Sequence, residues 1–408
     1  MPARPVRPSF RDPRFAFLLV GQSVSWVGSW AASIVLWGFA AYHFGASPEA
    51  ISVTALCWSG PPIVLTAFTG RLTDRFGPRA MLIVGYLCSA TTSLGMASAR
   101  SLMSLDMMAA ACGAARALCT PASSALPARV VEPGDLLAAN SLLGVTASIG
   151  QVAGPLAASV LMAVAGFRTA FAADAATYLV SVLIMLPLPV LPQPHEPQSA
   201  GAAATGRSAS GARWLRQATA GAETVARDRG LRRVTLARIG VMFTSGAFLI
   251  IEPLYARHVL GRPPSQFALF EAAIGVGAIV TGLALPVIRR RLPVTRPALE
   301  VMAAGAISYG LTAVLFTGTP WIPVAYIGAF TWGASGTVFY TVAATTLQRL
   351  APTGTLGQVA GVISTAESTI ENLSMPLAGV LLAATGIRAG APVLAAAAVA
   401  AGVGCLLK

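Results

Sequence analysis

Lysine is all but missing from this chain: 27 of its 28 basic residues are arginine, and the single lysine is Lys408. A phosphate-cradling loop of the form G-x-x-x-x-G-K-[ST] therefore cannot be built, and no ATPase is expected within the chain. Histidine is scarce too. His43, His195 and His258 lie far apart without metal-ligand spacing, and no G-x-S-x-G or H-E-x-x-H stretch occurs, so neither hydrolytic chemistry nor a metal site is indicated. The five cysteines (Cys57, Cys88, Cys112, Cys119 and Cys405) fall in apolar segments and form no C-x-x-C pair, which argues against a zinc site or a disulfide framework. They read as packing residues.

Charge of either sign is also thin, at 11% of 408 residues, whereas 55% are hydrophobic and the mean hydropathy is +0.70. A soluble core cannot bury so large an apolar fraction, but about 20 consecutive apolar residues cross a bilayer as a helix. The apolar segments are continuous and do not alternate, which excludes a membrane β-barrel. The expected fold is therefore an all-α membrane protein. A net charge of +13 does not point to nucleic acid, because the arginines sit in small clusters between the apolar runs. The opening "MPARPVRPSFRDPRF" is basic and proline-rich, and the apolar run after it is too long for a signal-peptide core. It is expected to stay on the chain.

Apolar runs between charged or turn-forming punctuation predict twelve transmembrane helices, with edges uncertain by a few residues. They fall at 15–43, 50–70, 80–98, 102–125, 137–165 and 169–191, then at 235–256, 266–288, 298–316, 320–346, 358–385 and 389–407. With the N-terminus in the cytoplasm, 22 of the 28 Arg and Lys lie on the inner side and 5 on the outer, with Arg116 inside a span. The excess of basic residues on the cytoplasmic side selects this orientation, with both termini cytoplasmic. Residues 1–191 form one predicted bundle, 192–234 a cytoplasmic linker, and 235–408 a second bundle. The linker is Pro/Ser/Gly/Ala-rich and then basic and amphipathic from Trp214, so its second part suits the membrane surface.

An internal repeat supports the division. "PLAASVLMAVAGFR" (155–168) returns as "PLAGVLLAATGIR" (376–388), an offset near 220 residues that equates span 5 with span 11. Two related six-helix halves are what many secondary transporters use to place a site near the membrane midplane.

Between spans 2 and 3 stands "GRLTDRFGPR" (70–79), a dense charge cluster in an apolar chain. It resembles motif A of the major facilitator superfamily, G-x-L-x-D-R-x-G-[RK]-[RK], through Gly70, Leu72, Asp74, Arg75, Gly77 and Arg79. Pro78 stands where the family has a basic residue. The resemblance implies that Asp74 locks the inner ends of two pseudo-symmetric bundles and favours the outward-facing state. The second-half counterpart, "GLALPVIRRRLPVTR" (282–296), keeps Gly282, Leu283 and the basic cluster but has no aspartate, so the implied lock is asymmetric. In span 5, "GQVAGPLAAS" is similar to the end of motif C of the antiporter branch, through Gly150, Gly154 and Pro155. Ala158 and Ser159 replace the last two glycines.

Three further segments, "PASSALPARVVEPGDLLAANSL" (121–142), "FAADAATYLVS" (171–181) and "LQRLAPTGTLGQVAGV" (347–362), look like the drug:proton antiporter-3 group, which includes macrolide and enterobactin exporters. Ser29 stands where many relatives of that group carry an aspartate in span 1.

An ionisable side chain inside a span costs several kcal/mol unless it meets a partner or water, so each one marks a candidate site. Glu367 and Glu371 lie one helical turn apart on one face of span 11, where two neighbouring carboxylates in a low dielectric resist ionising together. That suits the pair to taking up and releasing a proton. Arg116 in the middle of span 4 is positioned to attract an anionic group or to bias a nearby carboxylate. Asp174, Glu252 and Glu271 stand nearer the ends of spans 6, 7 and 8, and Asp106 near the start of span 4 is expected at the water interface. Trp26, Trp30, Trp332 and Tyr340 are candidates to line an apolar cavity.

The resulting expectation is a secondary active transporter of the major facilitator fold in a bacterial cytoplasmic (inner) membrane. It would export an amphiphilic small molecule or drug by proton-coupled alternating access, as a monomer in the lipid bilayer. Its partners would be that small-molecule substrate and protons, with the proton gradient as energy source, no cofactor, no metal and no nucleic acid. The alternatives are a siderophore or lysophospholipid carrier, or a transporter-like sensor that moves nothing.

Overall fold

A computed structural model describes residues 13–132, 135–188, 219–291, 298–352 and 356–407. The parts of the linker at 192–218 and the cluster at 292–296 lie outside the described residues. Among the described residues there is no strand. The long helices are α1 (Pro13–Gly38), α2 (Pro48–Phe76), α3 (Pro78–Ala97), α4 (Leu102–Ala125), α5 (Leu136–Val164) and α6 (Gly166–Met185), followed by α7 (Arg229–Leu254), α8 (Pro264–Arg291), α9 (Ala298–Thr317), α10 (Ile322–Leu350), α11 (Leu356–Thr385) and α12 (Ile387–Leu406). Eight of them are long and apolar enough to cross a membrane, or nine if the bent α2 (Pro48–Leu65 with Phe68–Phe76) is one span. Outside that set are α5, α10 and α11. Helix α11 carries the two glutamates that lower its hydropathy.

Local chemistry explains the helix ends. Proline begins α2, α3 and α8, where its fixed φ suits the first turn and its missing N–H would have no partner anyway. The Ser47 hydroxyl caps α2 by accepting from the Ala50 N–H, Ser101 and Ser104 form a reciprocal capping box on α4, and Asp228 caps α7 by accepting from the Leu231 N–H at 2.8 Å. That aspartate starts α7 at Arg229, earlier than the apolar run at 235 predicts, and residues 219–227 just before it are helical as well.

The chain divides into two compact units, Met1–Gln193 with Arg262–Ala272, and Pro194–Gly261 with Ala273–Lys408. In the first unit α1 packs on α5 and α6, α4 on α2 and α3, and α3 on α6. The second unit repeats the scheme six helices later: α7 packs on α11 and α12, and α9 on α10 and α12. Helix α8 meets α10 so closely that a Cβ added at Gly277 or Gly333 would fall within about 2 Å of the Phe330 or Ile274 carbonyl oxygen.

The repeat extends to unusual backbone. Helix α1 ends in a π-turn at Phe39–His43 and α7 in one at Tyr255–Val259, each followed by a glycine with positive φ, Gly45 and Gly261. Gly166 and Gly386, which open α6 and α12, also have positive φ, +78° and +76°. Such pairs at matching places in both units extend the repeat beyond the one segment the sequence displays.

Candidate functional site

In the second unit the α11 acids part company. Glu367 is buried and accepts two hydrogen bonds from Arg238 of α7, Nε to Oε1 at 2.5 Å and Nη2 to Oε2 at 2.9 Å. This is a bidentate ion pair inside a helix bundle, the strong geometry for arginine and carboxylate. Arg238 itself is not among the candidate residues that the sequence singles out. Its partner lies 129 residues away and leaves no local pattern, so only the fold reveals it. Glu371, one turn further along, is half-buried, and its side chain has no hydrogen bond or ion pair among the described residues. Tyr309 of α9 and Tyr340 of α10 stand close enough to Glu371 to interact electrostatically, and Ser245 of α7 lies beside both tyrosines.

What seats Glu371 is a glycine on the facing helix. A Cβ at Gly246 of α7 would stand 2.4 Å from the Glu371 carbonyl oxygen and 2.3 Å from the Ser374 hydroxyl, so the two backbones touch there. Beside this contact lies an aromatic group: Trp332 of α10 with Phe248 at 5.1 Å, Tyr309 at 5.2 Å and Phe316 at 6.2 Å between ring centroids. Trp332 is therefore packed in the interior of its unit and does not line an open surface, although its indole N–H is buried without a hydrogen-bond partner. Tyr340 is half-buried at the edge of the group, against Phe339.

The first unit holds a polar layer of its own. Asp174 of α6 is 2% exposed; Ser93 of α3 donates to its Oδ2 at 2.5 Å, and Oδ1 is buried without a hydrogen-bond partner. Ser29 of α1 is hydrogen-bonded to the Tyr178 hydroxyl at 2.9 Å, and Ser25 donates to the Tyr86 hydroxyl at 3.0 Å, with the two tyrosine rings 5.8 Å apart. So Ser29 joins a hydroxyl network beside Asp174. Arg116 of α4 lies over the Trp58 ring, 4.7 Å from its centroid, and interacts electrostatically with Asp174. Sequence singled out Asp174 and Arg116, but not Ser93, Tyr86 or Tyr178. Uncharged hydroxyls in an apolar helix carry no signal until their partners are known.

The structure alters the picture of 70–79. It is mostly helix: α2 runs to Phe76, Gly77 (φ +85°) is the whole turn, and Pro78 opens α3, which gives the non-basic residue a structural role. Arg79 donates from Nη2 to the Leu186 carbonyl at 2.6 Å and from Nε to the Met185 carbonyl at 3.3 Å, satisfying carbonyls at the end of α6. Leu72 packs on the core of the first unit, Asp74 and Arg75 are exposed, the latter over the Phe76 ring, and Gly70 has open space beside it.

Gly150 and Gly154 of α5 both face α1. A Cβ at Gly154 would lie 2.5 Å from the Trp30 Cβ and 2.9 Å from the Ala31 nitrogen, and one at Gly150 would lie 3.1 Å from the Trp26 Cβ. Trp26 and Trp30 thus bracket the α1–α5 contact through their backbones, and Pro155 lies inside α5 just beyond it. Gly154→Leu is expected to lower stability by about 1–3 kcal/mol through overpacking, read as a lower thermal-unfolding midpoint in detergent. A midpoint equal to wild type would show that α5 does not bear on α1 there.

Glu252 near the end of α7 and Glu271 in α8 are both buried. Asp106, in the second turn of α4, is buried as well and accepts a hydrogen bond from Thr54 of α2 at 2.6 Å. Among the described residues no cluster of three or more His, Cys, Asp or Glu could hold a metal ion.

Residues 18–370 match the Major Facilitator Superfamily. An uncharacterised MFS-type transporter of Bacillus subtilis (strain 168), YfiS, is 23% identical over 390 residues, covering 92% of this chain and 88% of the relative. Among solved structures, a POT family transporter in complex with 5-aminolevulinic acid superposes with a TM-score of 0.72 at 12% identity, covering 96% of this chain and 95% of that one. A point mutant of the nucleoside transporter NupG gives 0.72 at 11% identity, covering 96% and 99%. A bacterial homologue of the human lysosomal transporter Spinster, in an inward-facing and unoccupied conformation, gives 0.66 at 14% identity, covering 97% and 94%. At such identities the likeness extends to the fold alone. Together with its apolar helices and repeated packing scheme, the match over most of its length makes this chain a multi-pass membrane transporter of the major facilitator superfamily, rather than an enzyme.

Proposed function

We propose that the protein is a proton-coupled exporter of an amphiphilic small molecule, working by alternating access in a bacterial inner membrane. Twelve spans, cytoplasmic termini, a monomeric state and the absence of any cofactor beyond the proton gradient belong to the same reading. So does its place in the drug:proton antiporter-3 group. The observation that carries it is Glu371: a half-buried carboxylate in a membrane helix, without hydrogen bond or ion pair among the described residues, beside two tyrosines. An acid so placed is costly to the fold and is kept for what it binds. Proton and cargo then act as two ligands of one conformational equilibrium, each shifting it by its differential affinity for the two states. Asp174, with one buried oxygen unpartnered, is a second candidate for proton exchange, and Asp74 biases the equilibrium from the inner rim.

The test is transport of a panel of lipophilic compounds into proteoliposomes under an imposed pH gradient. At least one amphiphile is expected to accumulate in a gradient-dependent, ionophore-sensitive way. If no compound moves under any gradient, the exporter reading fails. Transfer of lysophospholipid or a siderophore alone would replace it with the corresponding carrier, and unchanged fluxes beside altered signalling in cells with a sensor.

A further inference from the structure

We infer that Arg238 divides the labour of the two α11 acids, pinning Glu367 in a permanent ion pair so that proton exchange at this site falls to Glu371 alone. The inference rests on the proton-coupled reading, and it names the acid that exchanges and the positioning residue that selects it.

Sequence offers two equivalent glutamates one turn apart, which would share a proton between them. Geometry makes them unequal. Glu367 has both oxygens engaged by the two-pronged guanidinium, and the side chains of the pair are 16% (Arg238) and 9% (Glu367) exposed, so water competes little for either charge. Protonating Glu367 would break a bidentate contact and strand the guanidinium, which cannot give up its own proton to follow. Nothing comparable opposes a proton on Glu371, which has no ion pair to lose.

Among the described residues, no second cation pairs with Glu371. Helix α7, packed along α11, carries Arg229, Arg232 and Arg233 in its first turns, Arg238 in the ion pair, and Glu252 near its far end. Helix α12, the other neighbour, has only Arg388 and Cys405 as titratable groups, one near each end. Residues 219–227, which meet the start of α11 where Gly221 touches Gln358, hold Glu223 and Arg227, paired with each other. Tyr309 and Tyr340 also interact electrostatically with Glu371.

The experiment is carbodiimide labelling of the full-length protein in liposomes. A protonated carboxyl group in apolar surroundings adds through its oxygen to the carbon of dicyclohexylcarbodiimide, its proton passing to a carbodiimide nitrogen, and rearranges to a stable N-acylurea, whereas an ion-paired carboxylate has no proton to give; the labelled residue is located by fragment mass spectrometry. In the wild type Glu371 is expected to label at least ~10-fold faster than Glu367, the ratio that corresponds to one decade of proton occupancy. In Arg238→Gln both acids label, and in the double variant Arg238→Gln/Glu367→Gln only Glu371 does. Labelling of Glu367 in the wild type at a rate equal to or above that of Glu371 overturns the inference, as does an Arg238→Gln protein whose Glu367 stays unlabelled. If the single variant does not fold, the wild-type ratio and the double variant decide. No cargo and no gradient are needed, so the inference can fail while transport is seen, and survive if transport is not.

Discussion

Arg238→Gln alone is expected to lower stability by about 3–5 kcal/mol, because it leaves the Glu367 carboxylate buried without its partner. Glu367→Gln should cost a similar amount by stranding the guanidinium. Replacing both together removes the charges and should be close to neutral, since exchanging a whole buried pair for uncharged residues commonly costs little. Reversible unfolding of the four proteins in detergent forms a double-mutant cycle with a strongly non-additive outcome. Additive losses would mean that the two side chains do not meet inside the bundle, although the structure joins them by two hydrogen bonds of 2.5 and 2.9 Å.

Glu371→Gln is expected to remove accumulation driven by a pH gradient, a loss of at least ~10-fold for a group whose proton affinity powers the cycle. Exchange of labelled for unlabelled cargo across the same vesicles should persist, because it needs the bundles to tilt with cargo bound and needs no proton. The split distinguishes a coupling residue from one that merely supports the fold: structural damage lowers both fluxes. Full gradient-driven accumulation in Glu371→Gln would take this acid out of the mechanism.

Much of the fold was legible because the signal is local. Apolar runs of some 20 residues mark helices wherever they occur, and the segments at 102–125 and 298–316 coincide with α4 and α9 to within a residue. The ends of other helices were read less well, and for identifiable reasons. A capping aspartate and an arginine-rich first turn extend α7 back to Arg229, and polar residues from Gly70 to Phe76 continue α2 past its apolar stretch. Charge punctuates an apolar pattern without stopping a helix; Gly77, with its positive φ, does that.

The site was half legible. Burial makes an ionisable residue conspicuous in an apolar segment, so Glu367, Glu371, Asp174 and Arg116 stood out, but the roles of the first two did not, since those depend on Arg238 from a distant helix. The network of Ser25, Ser29, Tyr86, Ser93 and Tyr178 joins α1, α3 and α6 through pairs 61 to 149 residues apart, and its members look ordinary one at a time. Glycine carried more than composition suggests. Gly154 and Gly246 both stand where a helix touches its neighbour's backbone, α5 on α1 and α7 on α11, so the two units make the equivalent contact with the glycine on opposite partners.

That protons and cargo move in opposite directions through this one protein is tested most directly by recording luminal pH in proteoliposomes while a lipophilic compound is added outside, with no gradient imposed beforehand. Antiport predicts that the lumen turns alkaline as cargo enters and protons leave, in wild type and not in Glu371→Gln. A compound that demonstrably enters through the protein while luminal pH stays flat, or falls, would contradict the account.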